Sequence, residues 1–323
     1  MGNEKSKYDS AWKKVIRKLF KDFFEFFFPA IYEAIDFSKE VEFLDKELKE
    51  IDPDSSLGDR VADILAKVHL KDGTTKFISI ITHIEVQGEP QDNFMERMFI
   101  YYYRAFDKEK KEKIPVISVA ILTDDNESYR PDEYSFSLFG FELRMKTPVV
   151  KIADYKVKKE LMEKLNTSKN PMAMVVKAQL KSHEVKQADA GRRFEVTKDL
   201  IRQCYQQGYS REETYIILHF YDWAIRLPEA YKEKIREVIR KTEEEYKMEY
   251  IPIWGRDLVE QGMQQGVQQG MQQGMQQGVQ KGENKAMARA AKRMLKDGLP
   301  LETIKKYTGL SAEKIKKLSS TSH

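Results

Sequence analysis

Two apolar segments joined by a short polar turn constrain the fold of this chain most. Residues 61–70 read VADILAKVHL, residues 77–87 read FISIITHIEVQ, and the turn between them contains KDGT, a strong β-hairpin signal. From residue 77 to residue 81 the second segment is apolar on both faces, which indicates a strand buried on both sides. The chain is therefore expected to build its core around a sheet that contains this hairpin.

Three polar residues occupy alternate positions at the end of the second strand. His83, Glu85 and Gln87 share one face, because successive side chains of a strand point to opposite faces. Opposed residues of an antiparallel hairpin have a constant index sum. For Asp63 and Glu85 that sum is 148, which places the centre within one residue of the predicted turn. The two acids are therefore predicted to face each other, with their Cβ atoms ~5 Å apart.

Two carboxylates at that distance repel unless something compensates their charge. Either one of them takes up a proton, or a divalent cation lies between them. Paired carboxylates with a backbone carbonyl and waters suit Mg²⁺, with Mn²⁺ as an alternative, and such a cation activates water for attack on phosphorus. Gln87 would then hydrogen-bond that water or a phosphate oxygen. The competing interpretation places Glu85 and Gln87 on a solvated face, which the apolar residues 77–81 argue against.

The neighbouring segments complete an α/β core. Residues 8–36 have apolar side chains at helical spacing, with Pro29 interrupting or restarting the helix, and residues 41–52 predict a short helix or a loop. A charged amphipathic helix is predicted over 91–113. Strands are predicted for IPVISVAILTD, which has parallel-sheet character, and for EYSFSLFGFEL and TPVVKI. The core is therefore expected to span about residues 8–155.

Three further segments follow the core. Residues 156–258 are predicted to be a helical accessory region with breaks at NTSKNP and LPEA. Residues 259–284 have Gly at every fourth position from 262 to 282, which indicates either a flexible linker or a helix that forms a homodimer through its Gly stripe. Residues 285–319 predict three short helices, with Ser311 as N-cap of the third, in a pattern typical of a helix-turn-helix or a simple helical hairpin.

The charge distribution and the cysteine content limit the kinds of partner and compartment expected for the protein. The net charge is only +4, but residues 281–317 contain 11 Lys and Arg against 4 Asp and Glu. This basic tail is either a DNA contact or a set of solvated helix faces. The single cysteine, Cys204, cannot form an internal disulfide and fits a reducing cytoplasm. The most aromatic run is too short and too charged to span a bilayer, so no membrane partner is expected.

The predicted helix after Glu85 adds two candidates to the site. Arg97 and Tyr101 are four residues apart and share a helix face. They are expected either to position a phosphate or to support the acids, and Arg97 is alternatively a structural partner of an acid. His83 shares the polar face of its strand and is otherwise a hydrogen-bonded histidine of the core.

These residues resemble a known family. Asp63 in a strand, IEVQ in the next strand and the helix ERMFIYYYR are similar to the Rpn family of recombination-promoting nucleases, also described as transposases, within the PD-(D/E)XK nuclease superfamily. The likeness covers about residues 8–150, and the Gly repeat and the ending LETIKKYTGLSAEKIKKL are also similar to family tails. The resemblance implies a restriction-endonuclease-like core with a mixed sheet flanked by helices. It further implies a Mg²⁺-dependent DNA endonuclease that promotes recombination or the mobility of genetic elements.

The resemblance also assigns roles to individual residues. The superfamily pattern is an Asp, then an acidic residue, one spacer and a Lys; Asp63 and Glu85 match the two acids. The carbonyl of the spacer Val86 would be a further metal ligand. Gln87 stands in place of the Lys that orients or activates the water, a replacement usual in this family, and Glu47 is the candidate for an additional acid. The alternative is a catalytically weak DNA-binding or assembly protein that oligomerises through the Gly repeat.

Overall fold

The computed structural model describes residues 11–44, 64–71, 79–108, 114–246, 287, 290–295 and 297–311. The chain divides into two compact units, Met1–Ile251 and Pro252–His323. The elements of the first unit, in chain order, are α1 (residues 11–18), α2 (Phe20–Phe27), α3 (Pro29–Ala34), β1 (Glu42–Phe43), β2 (Ile64–His69), β3 (Ser79–Gln87), α4 (Phe94–Lys108), β4 (Val116–Leu122), β5 (Glu133–Leu138), β6 (Phe141–Lys146), β7 (Val149–Lys151), α5 (Asp154–Val157), α6 (Lys159–Thr167), α7 (Met172–Glu184), α8 (Ala190–Gln206), α9 (Arg211–Ala224) and α10 (Glu229–Glu245).

Among the described residues, five strands form a mixed sheet in the order β1-β2-β3-β4-β7. Strands β2 and β3 are antiparallel, and every residue pair from Ile64–Ile84 to His69–Ser79 has the index sum 148. Strand β4 is parallel to both β3 and β7. The hairpin with its predicted register and the parallel character of β4 are thus confirmed, and the core is a mixed α/β fold.

Two predictions for the strands need correction. A short helix or a loop is expected over 41–52, but Glu42–Phe43 forms strand β1 at the edge of the described sheet, and its Phe43 ring packs edge-to-face on Phe20 at 5.4 Å. Residues 45–52 lie outside the described residues. The run EYSFSLFGFEL is not one strand, because β5 and β6 form a separate two-stranded sheet. The turn between them has positive φ at Phe139 (50°) and Gly140 (85°). Asn, Asp or Gly usually occupies such positions, so Phe139 does not mark a turn in the sequence.

The aromatic N-terminal helices pack against the helices that follow the sheet. Trp12 is fully buried, its indole nitrogen donates to Gln179 Oε1 at 3.1 Å, and its ring meets Phe220 edge-to-face at 5.3 Å. Pro29 is the first residue of α3, so it restarts the helix, as one of the two predictions stated. The predicted breaks at NTSKNP and LPEA separate α6 from α7 and α9 from α10.

Cys204 lies inside this helical region. The thiol is fully buried, and burial raises its pKa far above the usual range. A thiol that stays protonated is a poor nucleophile, so the residue packs rather than reacts. None of the described helices is both long enough and apolar enough to cross a bilayer.

Helix α9 begins with a capping box that provides a stability test. The Ser210 hydroxyl accepts from the Glu213 amide at 3.3 Å, and the Ser210 amide donates to the Glu213 carboxylate at 2.7 Å. We expect Ser210→Ala to lower the free energy of unfolding by about 1 kcal/mol in urea titrations, because an amide of the first turn loses its acceptor. The exposed Ser135→Ala should change it by less than about 0.5 kcal/mol. Equal effects of the two changes would contradict a contribution from the cap.

Candidate active site at the end of strand β3

The polar end of β3 is buried rather than solvated. His83, Glu85 and Gln87 are 1%, 1% and 5% exposed. Helix α4 covers their face of the sheet, where its residues pack on Ala120 and Leu122 of β4. The interpretation as a half-exposed strand with a solvated polar face is therefore wrong.

Glu85 forms an ion pair with α4. Arg97 Nη2 donates to Glu85 Oε1 at 2.8 Å and to Gln87 Oε1 at 3.1 Å, while Nη1 donates to Gln91. The Arg97 guanidinium also lies 5.8 Å from the centroid of the Phe94 ring. Of the roles predicted for Arg97, the one seen in the structure is that of partner to an acid. This ion pair compensates the buried charge of Glu85.

The second carboxylate oxygen of Glu85 differs from the first. Oε2 is buried and has no hydrogen-bond partner among the described residues. Leaving such an oxygen desolvated and unbonded is costly, which makes it a candidate ligand for a cation. A hard carboxylate oxygen is the donor type that Mg²⁺ and Mn²⁺ accept, so the atom fits the predicted metal.

Gln87 is hydrogen-bonded at both ends of its amide. Its oxygen accepts from Arg97, and its nitrogen donates to the carbonyl of Glu89. The backbone carbonyl of Gln87 accepts from the Thr123 amide at 2.9 Å and from the Thr123 hydroxyl at 3.3 Å. These bonds fix the end of β3 against the segment that follows β4. A role in orienting water stays a prediction.

The remaining predicted residues divide into described and undescribed ones. Asp63 and Glu47 lie outside the described residues. Val86 pairs with Ile121 of β4, and its side chain is buried on the face opposite Glu85. Tyr101 is 9% exposed and packs among apolar core residues, so its proposed contact with a phosphate stays a prediction.

His83 has the partners of a core histidine. Its Nδ1 and the Ser118 hydroxyl are hydrogen-bonded at 3.1 Å, and its ring meets Tyr101 edge-to-face at 5.6 Å. Within the described ranges no group of three or more His, Cys, Asp or Glu side chains is placed to hold a metal ion. A metal site at Glu85 with three such side chains would therefore need members from outside that part of the chain.

A second buried ion pair lies at the ends of the parallel strands, and the sequence analysis missed it. Lys151 Nζ donates to Asp124 Oδ1 at 2.5 Å, and both side chains are 3–4% exposed. Tyr129 lies between this pair and the residues around Glu85. Lys151 Nζ is 5.7 Å from the centroid of the Tyr129 ring, and the Tyr129 hydroxyl donates to the Gln91 carbonyl at 3.0 Å. Burial raises the pKa of Tyr129. The available signal was an Asp two residues beyond the end of a parallel strand, the usual place for site residues.

A neighbouring cluster holds Asp154 ionised. Arg130 donates to both of its carboxylate oxygens, at 2.5 and 3.0 Å, and Lys158 lies 2.6 Å from Oδ2. Burial raises the pKa of Asp154, but these hydrogen bonds outweigh it, so the pKa lies below its usual value. The cluster connects the segment after β4 to the start of α5, which indicates a structural role.

The C-terminal unit has a small core of its own. Its described residues include helical residues 290–295 and helix α11, Leu301–Thr308, which ends at Gly309 with φ 65°. Ala291 and Ile304 are fully buried against each other. The two helices on either side of the Gly298–Pro300 break were predicted; the third predicted helix lies outside the described residues.

Comparison with known families bears on this unit. Residues 284–320 match the model of the C-terminal helix-turn-helix domain of the Rpn/YhgA-like nuclease family. A search of curated proteins and a search of solved structures each returned no significant match. The family match lies on the basic tail, for which the sequence predicted either a helix-turn-helix or a helical hairpin, and it supports the family resemblance in that part of the chain.

Proposed function

We propose that this chain, whose residues 284–320 match the C-terminal helix-turn-helix domain of the Rpn/YhgA-like nuclease family, is a metal-dependent DNA endonuclease with a PD-(D/E)XK-type core. The helix-turn-helix domain suggests DNA as the partner. The proposed reaction is hydrolysis of a phosphodiester bond with Mg²⁺ as cofactor, and the proposed biological role is DNA breakage that promotes recombination or element mobility.

One observation carries this proposal: a buried carboxylate with one oxygen bonded and the other available. Arg97 holds Glu85 through Oε1, while Oε2 lacks a partner among the described residues. A purely structural ion pair would gain from satisfying both oxygens. A buried oxygen without a partner calls for an explanation, and Asp124 Oδ2 is in the same state. What favours Glu85 Oε2 as a ligand position is the predicted pairing of Glu85 with a second acid, Asp63.

The second acid of the proposal is Asp63. The ladder between β2 and β3 keeps the index sum 148 over all its described pairs, up to Ile64 with Ile84. The proposal extends this ladder by one pair, to Asp63 with Glu85. Asp63, Glu85 and the carbonyl of Val86 would then hold the cation, and Glu47 is the candidate for a further acid. When bound, the cation would lower the pKa of a coordinated water and stabilise charge on the phosphate.

In this proposal Gln87 and Arg97 together replace the lysine that orients or activates the water elsewhere in the superfamily. A lysine at position 87 would place its ammonium against the guanidinium of Arg97, whose Nη2 lies 3.1 Å from the Gln87 amide oxygen. Glutamine accepts that hydrogen bond without adding charge. We propose that Arg97 supplies the positive charge beside the acids and that Gln87 orients the attacking water or a phosphate oxygen.

The proposal predicts metal-dependent cleavage. Purified protein should convert supercoiled plasmid to the nicked form in Mg²⁺, and excess EDTA should stop the reaction. Negative charge develops on the phosphate oxygens, and the carboxylates, being negative themselves, cannot compensate it without a cation. Asp63→Ala is expected to remove the activity. Equal cleavage by Asp63→Ala and the unaltered protein would reject the site, and cleavage in EDTA would reject the cofactor.

One observation favours a second candidate function. Arg97 already compensates the charge of Glu85, so the pair could persist in a protein that has lost catalysis and only binds DNA or assembles. This candidate predicts DNA binding through the C-terminal domain with no Mg²⁺ or Mn²⁺ binding at Glu85. Calorimetric titration with either metal separates the two functions.

A further inference from the structure

The β5–β6 hairpin, residues 133–146 and here called the arm, separates apolar from polar side chains. Its cross-strand pairs on one face are Tyr134–Met145, Phe136–Leu143 and Leu138–Phe141. The pairs on the other face are Glu133–Lys146, Ser135–Arg144 and Ser137–Glu142. A sheet with one wholly apolar face normally buries that face against another layer.

Only the base of the apolar face is covered, and its side chains are half-buried. Tyr134 stacks on Phe99 of α4 at 5.0 Å, and Tyr134 and Met145 pack on the core cluster beneath α4. Farther out, Phe136, Leu138 and Phe141 are 48%, 50% and 59% exposed, and Phe139 at the turn is 99% exposed. Contiguous exposed apolar residues of this size mark an interaction surface.

The outer edge of β6 is open as well. No described strand pairs with it, since β5 is its only partner in the two-stranded sheet. The Thr147 amide donates to the Asp132 carbonyl at 2.8 Å, which fixes the phase of the ladder. Odd-numbered residues of β6 therefore bond to β5, and the backbone groups of Glu142, Arg144 and Lys146 point to the open edge.

We propose that β6 pairs antiparallel with β6 of a second copy of this chain, about a two-fold axis at Leu143. In that register Glu142 faces Arg144 of the second copy, and Arg144 faces Glu142. On the other face, Leu143 meets Leu143 and Phe141 meets Met145. The edge is thus self-complementary in charge on one face and in apolarity on the other, as a two-fold interface requires.

The charge pattern of the arm favours a second copy over other occupants. Edge pairing would bring Leu143 against Leu143 and Phe141 against Met145 of the second copy, and would join the two apolar faces into one continuous face. The arm has two acidic and two basic residues, so it offers no net positive charge to DNA or to an anionic membrane.

Charge reversal tests the register directly by sedimentation of the full-length protein. The unaltered chain should dimerise at micromolar concentration. Glu142→Arg and Arg144→Glu should each weaken dimerisation about tenfold or more, because each places like charges opposite each other twice. Arg144→Glu also breaks the ion pair of Arg144 with Glu133 inside the arm, so the Glu142→Arg result decides the register. Mixing the two variants should restore a heterodimer, and the double variant E142R/R144E should restore the homodimer.

Lys146→Glu is the matched control, because residue 146 would face the uncharged Gly140. It should leave dimerisation unchanged, and circular dichroism should verify that every variant is folded. A monomeric unaltered chain would overturn the proposal. A dimer whose stability neither reversal changes would also overturn it, because the interface would then lie elsewhere, for example at residues 259–284. A monomeric protein that binds plasmid DNA or phosphatidylglycerol vesicles through the arm would identify another occupant and would equally overturn the proposal.

Discussion

Glu85→Gln is expected to reduce plasmid cleavage about 1,000-fold while leaving the protein folded. Glutamine has the shape of glutamate and keeps an oxygen that can accept the 2.8 Å hydrogen bond from Arg97. The substitution removes the negative charge and replaces Oε2, the proposed ligand atom, with an amide nitrogen that cannot bind a cation. The measurement is the initial rate of nicking at fixed Mg²⁺, with thermal unfolding as the check on folding.

Glu89→Gln provides the control for this substitution. It removes the same charge four residues along the chain from an exposed position. Its cleavage rate should match that of the unaltered protein within about twofold. A Glu85→Gln protein that cleaves at the normal rate would show that Glu85 serves only as the structural partner of Arg97. Equal losses in both variants would point to a general effect of charge.

Lys151→Met is expected to lower the free energy of unfolding by about 3–5 kcal/mol. Lys151 is the partner of Asp124 at 2.5 Å, and neither side chain is more than 4% exposed. Methionine fills the volume of the lysine stem but leaves the Asp124 carboxylate buried without its counter-charge. The midpoint of urea unfolding should fall, with an unchanged dependence on denaturant concentration.

Two variants decide whether this loss comes from the uncompensated charge. Lys181→Met removes one partner of an ion pair with Glu184 that is 46% and 43% exposed, and it should cost less than about 1 kcal/mol. The double variant Asp124→Asn/Lys151→Met replaces the buried pair by neutral residues and should recover most of the loss. A Lys151→Met protein within about 1 kcal/mol of the original would contradict the importance of this pair.

The sequence predicted those features that depend on local pattern. The β2–β3 hairpin and its register follow from alternation and turn position, and helix α4 follows from apolar spacing around Phe94, Met95 and Met98. Arg97 was expected on the right face of that helix, but its choice of Glu85 as partner depends on how α4 crosses the sheet. The sequence therefore left several roles open for Arg97.

Features that depend on contacts between distant segments were missed. Strand β1 exists because Glu42 and Phe43 meet Lys67 and Ala66, and a two-residue strand has no period to detect. The pair of Asp124 with Lys151 forms because β4 and β7 lie side by side, although the residues are 27 apart in the chain. The turn inside the arm has no clear sequence signal, because Phe139 occupies a left-handed position that usually selects Asn, Asp or Gly.

Calorimetric titration with Mn²⁺ tests most directly the central claim that Asp63 and Glu85 together bind one divalent cation. The account predicts a single site in the full-length protein, lost in Asp63→Asn and in Glu85→Gln and retained in Glu89→Gln. Unchanged Mn²⁺ binding in the first two variants, or none in the unaltered protein, would contradict it.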